Sequence, residues 1–303
     1  MITQDLSIAR NYLQQGEVIG LPTETVYGLA GNAFDEIAIQ KIYSIKQRPA
    51  TNPLIVHVGS LEQATGFITA FPPPLKALAE KFWPGPLTLL LNKTDQIPNV
   101  VTAGSNRVAI RIPDHPLTLQ LLQQLDFPLV APSANPYTKI SPTTAEQVEE
   151  YFGDRVRIVL QGGACTKGLE STIVGMEENE VVVYRLGAIA VEQLESVVGT
   201  VQIRNQAEKT LLAPGMTKKH YSPATPLIIT PDPIDYQQKH PDKQIGIFLK
   251  GDENPEEVAP FFYKRLQELD QLGYDLLIAN YFPEEGLGRT LNDRLRRASR
   301  EEI

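Results

Sequence analysis

Lys46 and Arg48 stand two positions apart, and the chain surrounds them with groups able to hold a charged ligand. Upstream, Gly20-Leu-Pro-Thr-Glu-Thr-Val-Tyr-Gly28 offers the hydroxyls of Thr23, Thr25 and Tyr27 around the carboxylate of Glu24. Downstream, Asn52-Pro-Leu-Ile-Val-His57 adds an amide and an imidazole. Arg111 and Arg185 lie at the ends of apolar runs that read as strands. In a chain with excess negative charge, convergence of Lys46, Arg48, Arg111 and Arg185 on one cleft would favour an anion. Guanidinium forks suit phosphate and carboxylate, and a lysine acts as a movable point charge. Ser133-Ala-Asn135, after a short apolar strand, adds a hydroxyl and an amide able to bond sugar or phosphate, with Ala134 letting the backbone come close.

Each of these residues also has a plain structural reading. Pro-Thr-Glu-Thr reads as a capped turn, Lys46 and Arg48 as complements to a helix dipole, and Arg111 as a strand arginine facing solvent. Arg185 reads as half of a cross-strand ion pair, and His57 as a core histidine at a strand end. Glu24 and Glu170 are candidates either for orienting a ligand or for capping. Two common nucleotide cradles are excluded: there is no Walker A loop, and Gly286-Leu-Gly288 lacks the third glycine of a dinucleotide fingerprint. The single cysteine, Cys165, has no base beside it in sequence, which argues against a thiol nucleophile and excludes an internal disulfide. Four scattered histidines give no metal-ligand spacing, so no protein metal site is expected.

In order and content these segments resemble the Sua5/YciO/YrdC family. Further matching pieces are Lys81-Phe-Trp-Pro-Gly-Pro-Leu-Thr88, Val108-Ala-Ile-Arg-Ile-Pro113, Ala131-Pro-Ser-Ala-Asn135, Ser141-Pro-Thr143 and Glu170-Ser-Thr172, and the extra C-terminal region matches the two-domain Sua5 form. The resemblance implies a nucleotidyltransferase joining L-threonine, bicarbonate and ATP into L-threonylcarbamoyladenylate and pyrophosphate, for N6-threonylcarbamoyladenosine (t6A37) modification of tRNA. It implies threonine near Thr25, His57, Arg111, Ala131 and Ser171. It implies ATP near Lys46, Arg48, Asn52, Ser133, Asn135, Ser141, Arg185 and Tyr221, with Lys46 and Arg48 carrying the chemistry. Mg2+ is expected to accompany ATP, and tRNA threonylcarbamoyl transferase proteins to take the product. Two other readings stay open: a double-stranded RNA or tRNA-binding module, and a carbamoyl-transfer domain of the hydrogenase-maturation kind, whose acylphosphatase-like and zinc-finger segments this chain lacks.

The elements that must position these residues follow from periodicity. Leu6, Ile8, Ala9, Tyr12 and Leu13 repeat as a helix over 5–15, and Val18 to Leu21 is a buried strand stopped by Pro22. Ile37, Ala38, Ile42 and Ile45 predict a helix over 35–45 that delivers Lys46 and Arg48 before Pro49. Strands are expected over 52–58, 87–91, 108–112, 128–131, 156–160 and 181–184. Helices are expected over 75–82, 117–125 and 143–152, the last capped by Ser141 or Thr143. This mixture predicts an α/β protein: a YrdC-like open twisted mixed sheet over 1–203, then a small Rossmann-like parallel domain over 226–303. Residues 204–225, rich in polar residues and turn formers, read as a linker whose Tyr221 could cover the site as a lid. In the last helix Leu287, Leu291, Leu295 and Ala298 share a face, and Arg294, Arg296, Arg297 and Arg300 are expected on a solvated one.

Composition bounds the partners. A chain of 303 residues, 42% hydrophobic and 21% charged, is an ordinary globular protein, and a formal net charge of -8 argues against strong direct nucleic-acid binding. The start lacks a basic, then apolar leader, and no apolar run approaches the length of a membrane span, so a cytoplasmic protein with no membrane association is expected.

Overall fold

A computed structural model describes residues 1–204 and 220–302; of the expected linker, 205–219 lie outside the described residues. Two sheets organise the described chain. The larger, mixed sheet has the strand order Ile2–Thr3, Ile158–Leu160, Ile19–Leu21, Gly28–Asn32, Leu129–Val130, Ile55–His57, Arg107–Arg111, Leu87–Asn92, Thr172–Glu177, Glu180–Arg185 and Val201–Ile203. The smaller is wholly parallel, in the order Ile245–Leu249, Leu276–Ala279, Leu227–Ile229 and Glu301–Glu302. The fold is therefore a mixed α/β sheet followed by a small parallel Rossmann-like one.

The sheet register brings the functional candidates to one place. Ile55–His57 runs parallel to Arg107–Arg111 with His57 opposite Arg111, and antiparallel to Leu129–Val130 with His57 opposite Leu129. The Pro-Thr-Glu-Thr loop joins Ile19–Leu21 to the antiparallel Gly28–Asn32, and an isolated bridge from Gly28 to Ser133 ties it to the loop after Val130. A Cβ at Gly28 would stand 3.0 Å from that of Ala131, so a glycine there lets the two loops touch.

The helix that carries the cations starts at Glu36 because Asp35 accepts from the amides of Ile37 and Ala38, and ends at Lys46 because Gln47 turns left-handed at φ 54°. Its buried face is Ala38, Ile39, Ile42, Tyr43 and Lys46. The expected face was off by a third of a turn: Ile37 is 66% exposed and Ile45 only half-buried. Lys46 follows Ile42 and Tyr43 by four and three residues, so the helical repeat itself turns the lysine inward. Helix Ala145–Phe152 is capped by Thr144 in a capping box with Gln147, rather than by Ser141 or Thr143.

One hydrophobic cluster crosses between the sheets. Val26, Ile140, Leu169 and Ala190 from the first region pack with Tyr221, Phe262, Tyr263, Leu291 and Leu295. The last helix, Gly286–Ala298, is therefore mostly buried. Arg294 is 0% exposed and Arg297 7%, which corrects the expected solvated face for those two arginines. Arg296 is half exposed, paired with Glu284.

Candidate active site

A cavity opens where the strand ends and loops meet, lined by Thr23, Thr25, Val26, Gly28, Arg48, Pro53, Leu54, Ile55, His57, Arg111, Ala131, Pro132, Ser133, Glu170, Ser171, Arg185, His220 and Tyr221. Nine of the residues that the resemblance implies are among them: Thr25, Arg48, His57, Arg111, Ala131, Ser133, Ser171, Arg185 and Tyr221. Lys46, Asn52, Asn135 and Ser141 lie behind the wall, all buried, and hold it.

The supports are specific. Lys46 Nζ donates to the carbonyls of Ser133 and Asn135, each at 2.5 Å, which pins the Ser-Ala-Asn loop to the helix end. Among the described residues no carboxylate pairs with Lys46. Burial, with Arg48 adding to it, pulls its pKa well below the usual lysine value. Arg48 donates from Nη2 to Asn52 Oδ1 at 2.6 Å and to the Pro53 carbonyl at 2.8 Å, so Asn52 aims the guanidinium. Burial brings Arg48 down to about 10, still charged at neutral pH.

Across the cavity, Arg185 donates from Nη2 to the Ser171 carbonyl at 2.8 Å and hydroxyl at 3.0 Å, and the Ser171 hydroxyl also meets Thr88 Oγ1 at 2.7 Å. Arg111 faces Glu24 in a buried ion pair at 2.7 Å, not solvent. His57 Nδ1 lies 3.2 Å from the Ile55 carbonyl. To donate there it must carry the proton, leaving Nε2 as an acceptor. Burial first, and then the Arg111 charge, push its pKa down to about 3, so the imidazole stays neutral. Thr23 holds the turn by donating to the Val26 carbonyl at 2.6 Å and meeting Thr25 Oγ1 at 2.8 Å. Cys165 is buried and its thiol pushed up to about 12, as an inert side chain should be.

At and behind this wall, Glu24 Oε1, Asn135 Oδ1 and His220 Nδ1 are buried without a hydrogen-bond partner among the described residues. Buried polar atoms are ordinarily satisfied, and of these three His220 belongs to a residue that lines the cavity itself. Three arginines on the wall, a buried lysine behind it and a neutral imidazole give the cavity a chemistry suited to an anion.

Sequence reasoning missed two members of this arrangement, Tyr263 and the inward-facing Arg294, which hold Glu170 from behind: Tyr263 donates to Glu170 Oε2 at 2.8 Å, Arg294 Nε to the same oxygen at 3.1 Å, and Ser141 to Oε1 at 2.7 Å. His220, beside Tyr221, lines the cavity. A signal for Arg294 was present, since it falls three residues after Leu291 and seven after Leu287, on the edge of the apolar stripe. None existed for Tyr263, which only folding brings to residue 170.

No helix among the described residues is long and apolar enough to cross a membrane. None of their histidine, cysteine and carboxylate side chains form a group of three or more that could hold a metal.

Comparison with known proteins identifies the family. The Sua5/YciO/YrdC family model, described as telomere recombination, matches residues 11–187, and that of the threonylcarbamoyl-AMP synthase C-terminal domain matches residues 189–300. The threonylcarbamoyl-AMP synthase of Pyrococcus abyssi is 36% identical, covering 97% of this chain and 94% of that protein. The enzyme of the same name from Bacillus subtilis is 37% identical over 98% of this chain and 94% of its own length. The crystal structure of Pyrococcus abyssi Sua5 complexed with L-threonine superposes with a TM-score of 0.92 at 34% identity, covering 100% of this chain and 99% of that one. With a catalytic-type sheet, a cation-walled cavity and a second parallel sheet in one chain, this protein belongs to the Sua5/YciO/YrdC family, in its two-domain Sua5 form.

Proposed function

We propose that the cavity is where L-threonine, bicarbonate and ATP become L-threonylcarbamoyladenylate. The chain is a threonylcarbamoyl-AMP synthase, a nucleotidyltransferase that binds threonine and ATP. The observation that carries the placement is the convergence of Arg48, Arg111 and Arg185 on one cavity.

The reaction asks more for positioning than for covalent help. The threonine amine adds to bicarbonate with loss of water, and a carbamate oxygen then attacks the α-phosphorus as pyrophosphate leaves. In-line placement and stabilisation of charge moving onto pyrophosphate are the terms that matter. In this proposal Arg48 and Arg185 hold phosphate oxygens. Lys46, through the Ser133 and Asn135 carbonyls, fixes the loop that meets the nucleotide and supplies positive potential behind it. Arg111, oriented by Glu24, faces the threonine carboxylate, with Thr25, Ala131 and Ser171 around it, and the neutral His57 accepts from the hydroxyl or amine through Nε2. Asn52, Asn135 and Ser141 keep these groups in place, and Tyr221 with His220 covers the cavity against water, which a labile carbamate requires.

Mg2+ fits this site as a companion of ATP rather than as a resident metal. Glu24 and Glu170, the carboxylates nearest the cavity, are engaged by Arg111 and by Ser141, Tyr263 and Arg294. The ion would be held mainly by phosphate oxygens and water, as is usual for it. The division at 1–203, 204–225 and 226–303, delivery of the product to tRNA threonylcarbamoyl transferase proteins and a cytoplasmic location belong to the same proposal.

Pyrophosphate release from ATP, measured with and without threonine and bicarbonate, tests it. Release that needs both co-substrates, with threonylcarbamoyladenylate found by mass spectrometry, is expected; release indifferent to either would remove the assignment.

A further inference from the structure

Glu170 is a carboxylate buried at the wall of a cavity designed for anions, 5% exposed and next to Ser171, which Arg185 holds. A negative charge there opposes the binding of ATP unless something fixes and neutralises it. Two of the three side chains bonded to it, Tyr263 and Arg294, come from beyond the linker. Burial works to raise the Glu170 carboxyl, but Arg294, then Arg185, then the hydrogen bonds from Ser141 and Tyr263 outweigh it and keep the group ionised.

Arg294 touches three parts of the wall at once. Its Nε donates to Glu170, its Nη2 donates at 2.6 Å to the carbonyl of Leu186, the residue after Arg185, and its guanidinium stands 4.9 Å from the centre of the Tyr221 ring. Its Nη1 donates to Asp293 at 2.5 Å, and Asp293 in turn binds Arg297. Tyr221 is sandwiched further by Tyr263, with ring centres 5.3 Å apart.

We propose that Arg294 is a positioning residue, by which the C-terminal sheet region holds the Glu170 carboxylate away from Arg185 so that Arg185 stays on Ser171 at the cavity wall. Without Arg294, Glu170 keeps two neutral donors and lacks a paired cation. The nearest cation acting on it is then Arg185, and a buried carboxylate will draw that guanidinium off Ser171. The loss would fall on the nucleotide side of the site. The inference rests on the reading that this cavity binds ATP.

The test is a double-mutant cycle on the full chain, with wild-type activity established first so that failure of the functional reading shows as an inactive wild type. Arg294→Met, of similar length and apolar, is expected to raise KM for ATP about tenfold with a smaller change in KM for threonine. Glu170→Gln removes the competing charge, so the Glu170→Gln/Arg294→Met protein should return to within about threefold of the Glu170→Gln protein. An Arg294→Met enzyme with wild-type KM for ATP would overturn the proposal, as would a double variant no better than Arg294→Met, the result a purely structural arginine gives. Should Arg294→Met fail to fold, Arg294→Gln keeps a donor of similar reach without the charge. It is expected to raise KM for ATP severalfold, and an unchanged KM there would equally overturn the proposal.

Discussion

Lys46 shows most directly how a residue's type and its surroundings diverge at a functional site. A lysine 1% exposed, held by two carbonyls and with its charge penalised by burial, carries a desolvation cost that the ligand role proposed for it would account for. Lys46→Met is therefore expected to keep or raise the melting temperature while pyrophosphate release falls by about 100-fold, and Arg48→Ala to lose a similar factor. Calorimetry beside a release assay checks this, and near-normal turnover in either variant would take the cations out of the mechanism. His57 gives a pH dependence of definite sign. The unfolded chain takes a proton near pH 6.5, and the folded protein refuses it until about pH 3. The contribution of His57 is thus complete above about pH 6.5 and is lost as pH falls toward 3, because the unfolded state binds the extra proton through that window. Urea midpoints at about pH 7 and pH 5 should differ more for wild type than for His57→Gln; equal differences would show that another group governs the slope.

At the scale of elements, close approach of backbones sets the site as much as side chains do. A Cβ at Gly187 would lie 2.4 Å from the Thr172 amide nitrogen and 2.5 Å from the Glu170 carbonyl, so the chain after Arg185 can pass the Glu-Ser-Thr segment only with glycine there. The Thr290 hydroxyl then reaches the Gly187 carbonyl at 3.0 Å from the last helix. Gly187→Ala is expected to cost about 1–3 kcal/mol in urea denaturation and to raise KM for ATP, since it pushes Arg185 from Ser171. Unchanged stability would mean that the segments separate freely. Elements with clear periodicity were legible: helix Glu36–Lys46 and the strands at Leu87–Asn92 and Arg107–Arg111 lie within a residue or two of expectation. Strand Gly28–Asn32 was not, because Gly-Leu-Ala-Gly-Asn has low strand propensity and is held by its neighbours on both sides. Strand Thr172–Glu177 and helix Pro233–Lys239 were missed as well.

For the whole molecule, the C-terminal region finishes the wall of the cavity as well as standing beside it. Val26, Ile140, Leu169 and Ala190 are covered by its apolar residues, and Glu170 takes two donors from it. A chain ending after Gln206 is expected to melt at a lower temperature and to release pyrophosphate at least about tenfold more slowly, from the loss of that coupling. Full activity in the shortened chain would confine the C-terminal region to another task.

The sequence by itself determined the strongly periodic elements, the α/β class and the cationic residues that line or back the cavity, because periodicity, glycine and proline punctuation and residue type act locally. It could name Lys46, Arg48, Arg111 and Arg185 but could not say which way they faced. Arg111 and Arg294 both turned inward, each paired with a buried glutamate across 87 and 124 residues, while Arg296 stayed at the surface. Only the tertiary structure decided those pairings, since a buried charge is tolerated where a distant segment brings its counter-charge, and that depends on how the sheets pack rather than on any neighbour in the chain.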